Sequence, residues 1–216
     1  MAPDVADAAA LAALVARIKT CRICVEKPDG PPLPHEPRPV LRVSATARLL
    51  IAGQAPGVRV HASGLPFDDP SGDRLRQWMG VSRETFFDTS RIAVAAMGFC
   101  FPGHDSKGGD LPPRRECRAR WHDELFSLTP RIETILALGR AAQNYHSARL
   151  GLALPKSAPL AEAVRLSAAA LDRKPRLLLL PHPSWRNSAW LKNHPWFEDE
   201  IVPLIRRLVA EAIFRP

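Results

Sequence analysis

Four short apolar runs constrain the fold of this 216-residue chain more than any other feature. Each run is as long as a strand and stops at a glycine or a proline. Consecutive apolar residues without alternation are typical of strands that are buried on both faces of a sheet. The pattern predicts strands over Ala47–Ala52, Arg91–Met97, Thr134–Leu138 and Arg176–Leu180.

Helical stretches separate these strands. Apolar residues at helical spacing predict helices over Ala8–Lys19, Arg114–Leu128 and Trp196–Ile213, and Ser71 is the predicted N-cap of a further helix. Strands joined by helices require right-handed crossovers, which build a parallel sheet with helices on its faces. We therefore predict an α/β fold, a three-layer α/β/α arrangement around a central four-stranded, mainly parallel sheet.

The predicted domain organisation is simple. A chain of this length fits one domain, over residues 1–216. Its first 40 residues hold the N-terminal helix, a CxxC pair and a proline-rich loop over residues 25–40. No apolar run approaches the roughly 20 residues needed to span a bilayer. Asp4 and Asp7 stand where a secretory signal has a basic segment, so we expect a cytoplasmic protein that is not bound to a membrane.

The charge balance indicates a polyanionic partner. The chain has 30 basic and 22 acidic side chains, a formal net charge of +8, and only six of the basic residues are lysines. The planar guanidinium of arginine suits phosphates and base edges, so nucleic acid is the first candidate. An arginine-biased composition without such a partner gives the same charge, and this alternative stays open.

Two polar motifs follow predicted strands. Gly53-Gln-Ala-Pro-Gly57 comes directly after the first strand, and His182-Pro-Ser-Trp-Arg-Asn187 comes after the fourth. Ligands of parallel sheets bind beyond the carboxyl ends of the strands, so both motifs fall on one rim. Each motif alone also suits a tight turn. Together they predict a binding site.

Four cysteines form a second pattern: Cys21, Cys24, Cys100 and Cys117. A CxxC pair with two further cysteines suits a site of four thiolates, and zinc and a 4Fe–4S cluster both accept such a set. A disulfide set is the weaker alternative because nothing indicates secretion. The last alternative is that the four cysteines are buried and unrelated to one another.

The ordered set of motifs resembles the uracil-DNA glycosylase superfamily, and within it the iron–sulfur branches called families 4 and 5. The resemblance runs over nearly the whole chain: CxxC after the first helix, GQAPG followed by Ser63-Gly-Leu-Pro-Phe67 and Ser71-Gly-Asp-Arg-Leu75, Ile135-Leu-Ala-Leu-Gly139, and HPS at 182–184. It implies a 4Fe–4S cluster on the four cysteines. It also implies a DNA repair enzyme of base excision repair, which turns uracil out of DNA and hydrolyses its N-glycosidic bond.

The resemblance assigns roles at the base. Phe67 would stack on the flipped base, which supports any base by about 1–3 kcal/mol without distinguishing one from another. His182 would donate a hydrogen bond to the departing uracil, and backbone N–H groups near Gly53, Gln54 and Ala55 would add others. Gln54 or Asn187 could read the base where family 4 has an asparagine, because this chain has Ala95 and Ala96 there.

The chain departs from its relatives in its acidic residues. Many members have an acid within or directly after the first motif, whereas the first carboxylates here are Asp68 and Asp69. One of these two is predicted to place the attacking water and to support the sugar cation, as a carboxylate does in glycoside hydrolysis. His61 is the second candidate, as a general base. Asp68 and Asp69 also suit a simple turn before Pro70.

Other residues are predicted to meet the DNA backbone. Ser184, Trp185 and Arg186 follow the position of the base contact, and an aromatic ring beside a guanidinium suits stacking and phosphate binding. Lys107 and Arg114 lie in a basic loop that could touch phosphate or simply be solvated.

The function that we expect is therefore that of a monomeric, monofunctional uracil-DNA glycosylase, associated with the nucleoid of a bacterial-type cell when it acts. A relative that binds uracil or abasic DNA without turnover is the alternative. In one form of this alternative, His104 in the basic loop traps the sugar covalently. A flavin- or nucleotide-binding α/β domain is disfavoured because the chain has no GxGxxG loop.

Overall fold

A four-stranded sheet lies at the centre of the computed structural model, which describes residues 5–155 and 158–214. Asp4 and both ends of the predicted 1–216 domain lie outside these ranges. The strand order is β2-β1-β3-β4, and every pairing between these strands is parallel. The strands are β1 (Leu49–Ala52), β2 (Ile92–Val94), β3 (Thr134–Leu138) and β4 (Arg176–Leu180). The predicted fold class is confirmed.

Helices cover both faces of this sheet. Their bounds are α1 (Val5–Lys19), α2 (Ile23–Glu26), α3 (Val58–Ser63), α4 (Pro70–Met79), α5 (Arg83–Phe87), α6 (Arg115–Ser127), α7 (Arg140–Leu150), α8 (Leu160–Ala169), α9 (Ser188–Asn193) and α10 (Val202–Ile213). No helix among the described residues is long and apolar enough to cross a membrane.

Side-chain alternation along the strands produces the three layers. In β1, Leu50 and Ala52 enter a core shared with α1, α6 and α7, whereas Leu49 and Ile51 enter a second core shared with α4 and α10. Successive side chains of a strand point to opposite faces, so an unbroken apolar run fills two cores at once.

The N-cap of α4 differs from the prediction. The helix begins at Pro70, and Asp69 rather than Ser71 is the cap, since its carboxylate accepts the backbone N–H of Gly72 at 2.9 Å. A proline at the first helical position has its φ preset for the helix, which moves the cap to the residue before it.

Several other elements differ from prediction at their ends; β1, for example, begins at Leu49 rather than Ala47. The predicted second strand ends at Val94, although Ala95 and Met97 still donate backbone hydrogen bonds to Ile51 and Gly53. The predicted last helix is π-helical over Phe197–Ile201 before α10 begins. Pro203 lacks the N–H that a regular helix would use there, which accounts for the wider turn.

Candidate active site

The topology places a crevice between β1 and β3. The connection from β1 leads to β2 on one side, and the chain then crosses to β3 on the other side. At such a switch point the loops beyond the carboxyl ends separate and leave room for a ligand. Gly53 follows β1 there, and Gly139 follows β3.

Gln54 and Gly139 meet across this crevice. A methyl group on Gly139 would lie 2.8 Å from Cδ of Gln54, and Gly139 has a φ of +83°. Both the close approach and the backbone conformation therefore require glycine. The side chain of Gln54 is packed against the end of β3, at the place where the sequence predicts base contacts.

Phe67 is held in an unusual backbone conformation beside the first motif. Its φ is +57°, a region that residues with a side chain rarely adopt. The carbonyl of Phe67 accepts a hydrogen bond from Arg76 Nη1 at 3.2 Å, and a methyl group on Gly72 would lie 1.8 Å from the same oxygen. These neighbours hold the ring over Gly53, where its Cζ would lie 3.7 Å from a methyl group. Such strain is common at functional sites.

His182 lies next to Phe67, with 6.5 Å between the ring centroids and 27° between the planes. The backbone N–H of Ser184 donates to Nδ1 of His182 at 3.2 Å, so the proton of the neutral ring is on Nε2. Burial lowers the pKa of His182, while the carboxylates of Asp69 and Asp110 oppose that shift. The site therefore holds a neutral imidazole that can donate a hydrogen bond from Nε2.

Asn187 supports this histidine from behind. Its Nδ2 donates to the backbone carbonyl of His182 at 2.8 Å. Arg74 on α4 also reaches this segment, with Nη1 3.2 Å from the carbonyl of Ser184. Asn187 and Arg74 thus fix the loop that carries His182.

The two predicted acids both have partners within the fold. Asp68 forms an ion pair with Arg83, at 2.7 Å between Oδ1 and Nη2. Asp69 caps α4 with one carboxylate oxygen, and its charge also acts on His182. Of these two acids, Asp69 is the one whose charge reaches the imidazole.

His61 lies in an aromatic cluster rather than alone. Its ring is 4.4 Å from that of His35 and 6.0 Å from that of Phe101, measured between centroids. Burial lowers the pKa of His61, and the charges of His35 and Arg38 lower it further. A neutral imidazole is the form that a general base needs.

The two predicted basic residues between Cys100 and Cys117 have different surroundings. Lys107 is exposed, whereas the guanidinium of Arg114 is mostly buried, 2.9 Å from Glu116 and 2.8 Å from the carbonyl of Pro31. Arg114 therefore fastens the loop to the N-terminal segment. Lys107 remains free to meet solvent or phosphate.

Trp185 and Arg186 form an exposed rim beside His182. Trp185 is 77% exposed, and the guanidinium of Arg186 lies 5.8 Å from the centroid of its ring. An exposed aromatic ring beside a guanidinium is suited to stacking and phosphate contact. The rim follows His182 directly in the chain, and its contact with DNA stays a prediction.

The sequence analysis missed Asp110 and Arg74. Asp110 comes from the loop after Cys100, yet a methyl group on Gly57 of the first motif would lie 3.7 Å from its Oδ2. No local signal marks this residue, because its place depends on how the whole loop folds. Arg74 lies in the first half of α4 and reaches the loop of the second motif. Its place near the start of a helix that follows the first motif is the sequence signal that could have found it.

The four cysteines lie in and around one of the two cores. All are free thiols, and Cys24, Cys100 and Cys117 are buried. Burial raises the pKa of Cys24 to about 11 and that of Cys100 to about 12, and it also raises the pKa of Cys117. Charges on Cys21 and Cys24 would also raise the pKa of Cys100 and Cys117, so the four sulfurs lie within electrostatic range of one another.

Two of these sulfurs accept hydrogen bonds. The backbone N–H of Phe99 lies 3.3 Å from Cys117 Sγ, and Nε1 of Trp121 lies 3.3 Å from Cys21 Sγ. Such donors stabilise thiolates that bind metal. Across the described part of the chain, however, no three His, Cys, Asp or Glu side chains are placed to hold a single metal ion.

Comparison with known proteins adds the family. The crystal structure of wild-type SMUG2 from Pedobacter heparinus is similar over 76% of each chain, at 14% sequence identity and a TM-score of 0.42. The family model described as the uracil DNA glycosylase superfamily matches residues 42–206, which include both polar motifs and all four strands. The chain therefore belongs to the uracil DNA glycosylase superfamily.

Proposed function

We propose that the protein is a monofunctional uracil-DNA glycosylase that acts as a monomer. It would flip uracil out of DNA and hydrolyse the bond between N1 of the base and C1′ of the sugar. The observation that carries the proposal is the neutral, half-buried His182 beside the strained Phe67 at the switch point of the sheet. Membership of the superfamily supports the same class of reaction.

The chemistry follows from the tautomer of His182. When the N1–C1′ bond breaks, its electron pair stays on uracil, and negative charge develops at the carbonyl oxygen O2. An Nε2–H donor at that oxygen stabilises the charge, and the lowered pKa keeps the ring neutral without a change of protonation. Removing one such donor typically costs about 100- to 1,000-fold in rate.

The rest of the crevice would hold the flipped nucleotide. Phe67 offers a ring face for the base, and the backbone N–H groups of Gln54 and Ala55 are further candidate donors. Trp185 and Arg186 would meet the duplex where the base has left it. The net charge of +8 supports binding to a phosphate backbone.

We extend the proposal to a 4Fe–4S cluster on Cys21, Cys24, Cys100 and Cys117. The donor set fits in number, in burial and in its two N–H hydrogen bonds. Four thiolates around a cluster lie further apart than four thiolates around one ion, so iron and sulfide analysis rather than single-ion geometry is the test of this site. When bound, the cluster would cross-link the N-terminal segment, through Cys21 and Cys24, to Cys117 on α6.

The activity is tested by cleavage of abasic product with alkali. Oligonucleotides carrying uracil in single strands, in U:G and U:A pairs, and hypoxanthine in a duplex are incubated with the protein and resolved on a gel. We expect strand scission with uracil and a loss of about 100- to 1,000-fold in rate for His182→Ala. If no substrate gives a product, the glycosylase proposal fails and the DNA-binding alternative remains. Asn193→Ala, at the end of α9, is the matched control.

The cluster is tested on the purified protein. Iron analysis and visible absorption near 400 nm separate an iron–sulfur protein from a zinc protein. A colourless, iron-free protein that is folded and active would refute the cluster and leave the glycosylase proposal intact.

A further inference from the structure

The first motif has no acidic residue of its own, but a carboxylate from another segment lies beside it. Asp110 lies 53 residues after Gly57 in the chain, yet its Oδ2 is 3.7 Å from where a methyl group on Gly57 would be. The charge of the same carboxylate, like that of Asp69, raises the pKa of His182 against the effect of burial. Asp110 therefore lies beside the first motif and within electrostatic range of the histidine of the second.

The loop that carries Asp110 is a tight hairpin. His104 and Asp110 form an isolated antiparallel bridge, and the N–H of Leu111 donates to the carbonyl of Gly103 at 2.9 Å. The carboxylate of Asp105 accepts the N–H groups of Lys107 and Gly109, both at 2.8 Å. These bonds fix the hairpin from within.

His104 orients the carboxylate. Its Nδ1 lies 3.2 Å from Oδ1 of Asp110, and its ring meets Phe101 edge to face at 4.9 Å between centroids. One oxygen of Asp110 is thereby engaged, while the other lies on the side of Gly57. An oriented carboxylate with one oxygen toward the crevice is suited to bind a water molecule.

The two other acids near the crevice are less exposed than Asp110. Asp68 is paired with Arg83, and Asp69 gives Oδ1 to the N-terminus of α4. Asp110 is half exposed, so a flipped nucleotide and a water molecule can both reach it.

We propose that Asp110 is the catalytic carboxylate that places the attacking water and stabilises the sugar cation, with His104 as its positioning residue. This inference rests on the proposed glycosylase function. The N1–C1′ bond breaks and leaves its electron pair on uracil. The water oxygen then bonds to C1′, one water proton passes to the carboxylate of Asp110, and that proton finally reaches N1 of uracil. The products are an abasic site and uracil.

The experiment compares excision with DNA binding. Asp110→Asn keeps the shape of the side chain and removes the charge, and Asp172→Asn is the matched control on the exposed loop before β4. Single-turnover excision of uracil should fall by about 100- to 10,000-fold in Asp110→Asn and should be unchanged in Asp172→Asn. The Kd for uracil DNA, measured by anisotropy, should not rise, since the lost charge repels phosphate.

Chemical rescue separates a catalytic role from a structural one. Formate should restore part of the rate of Asp110→Ala, whereas sodium chloride at equal ionic strength should not. His104→Ala should lower kcat without raising Kd, and His104→Gln, which retains an N–H donor, should recover part of the loss.

The outcomes distinguish the two proposals. If wild-type protein excises no base, the proposed function fails and takes the role of Asp110 with it. If wild-type protein is active and Asp110→Asn keeps its rate, the inference about Asp110 is overturned and the function stands. A variant that loses excision and DNA binding together, with no rescue by formate, also overturns it, because the residue would then only hold the loop.

Discussion

Two histidines buried behind the crevice make the stability of the protein depend on pH. His122 on α6 and His146 on α7 are both fully buried. Burial lowers the pKa of His122 to about 4, although the carbonyl of Ala96 opposes the shift. Burial likewise lowers the pKa of His146 to about 3, and neither ring nitrogen of His146 has a hydrogen-bond partner within the described residues.

The sign and the size of the effect follow from these shifts. Below the ordinary histidine pKa of 6.5, the unfolded chain binds protons that the folded chain does not. The free energy of unfolding therefore falls with pH from about 6.5 toward the lowered values. Each histidine contributes a loss of about 1.4 kcal/mol at one pH unit below 6.5, so the pair contributes about 3 kcal/mol at pH 5.5.

The substitution His146→Phe isolates one of these contributions. A phenyl ring retains the edge-to-face contacts with Phe126 and Tyr145, at 5.2 and 5.0 Å between centroids, and cannot be protonated. Urea unfolding at pH 7.5 and pH 5.5 gives the loss for each protein. We expect the variant to lose about 1.4 kcal/mol less than the wild type. Any acid-sensitive step common to both proteins cancels in this difference.

A control and a refuting result complete the test. His194→Gln removes a half-buried ring that stacks on Trp190 at 4.4 Å, and it should keep the wild-type loss between the two pH values. Equal losses in wild-type protein and His146→Phe would refute the reasoning, because the buried ring would then not distinguish the folded from the unfolded state.

Three further substitutions test the surroundings of the crevice. Trp185→Ala removes the exposed ring and should weaken binding of uracil DNA by about 1–3 kcal/mol in an anisotropy titration, with no change in melting temperature; a lower melting temperature would show that the ring packs. Gly139→Ala places a methyl group against Gln54 at a φ of +83° and should lower the free energy of unfolding by about 1–3 kcal/mol in urea; an unchanged value would contradict the close approach. Asp69→Ala removes the cap of α4 and should cost about 1 kcal/mol in the same assay, whereas Asp69→Asn should cost less.

The sheet could be predicted because its signal is local. The bounds of β3 and β4 agree with prediction to the residue, since each apolar run fills both cores by itself. The second strand and the last helix agree less well with prediction. The end of the strand depends on where its neighbour β1 ends at Gly53, and the start of the helix depends on the missing N–H of Pro203. Patterns of hydrophobicity do not encode either cause.

The site divides in the same way. Phe67 and His182 could be located from motifs, because each motif follows a strand directly and the topology then brings the two together. The positive φ of Phe67 could not be predicted, since it depends on Gly72 and Arg76 against its carbonyl.

The acid near GQAPG shows why adjacency in sequence is a poor guide to a reacting group. Hydrolysis requires a carboxylate within reach of C1′, and it places no condition on which segment supplies it. Asp110 meets that condition through a hairpin that Asp105 stabilises internally and that Arg114 fastens to the N-terminal segment. A search confined to the residues after Gly57 finds Asp68 and Asp69, whose carboxylates are already bonded to Arg83 and to the start of α4. Asp110 is held at Oδ1 by His104, and its half-exposed side chain keeps Oδ2 beside Gly57, where a water molecule can reach it.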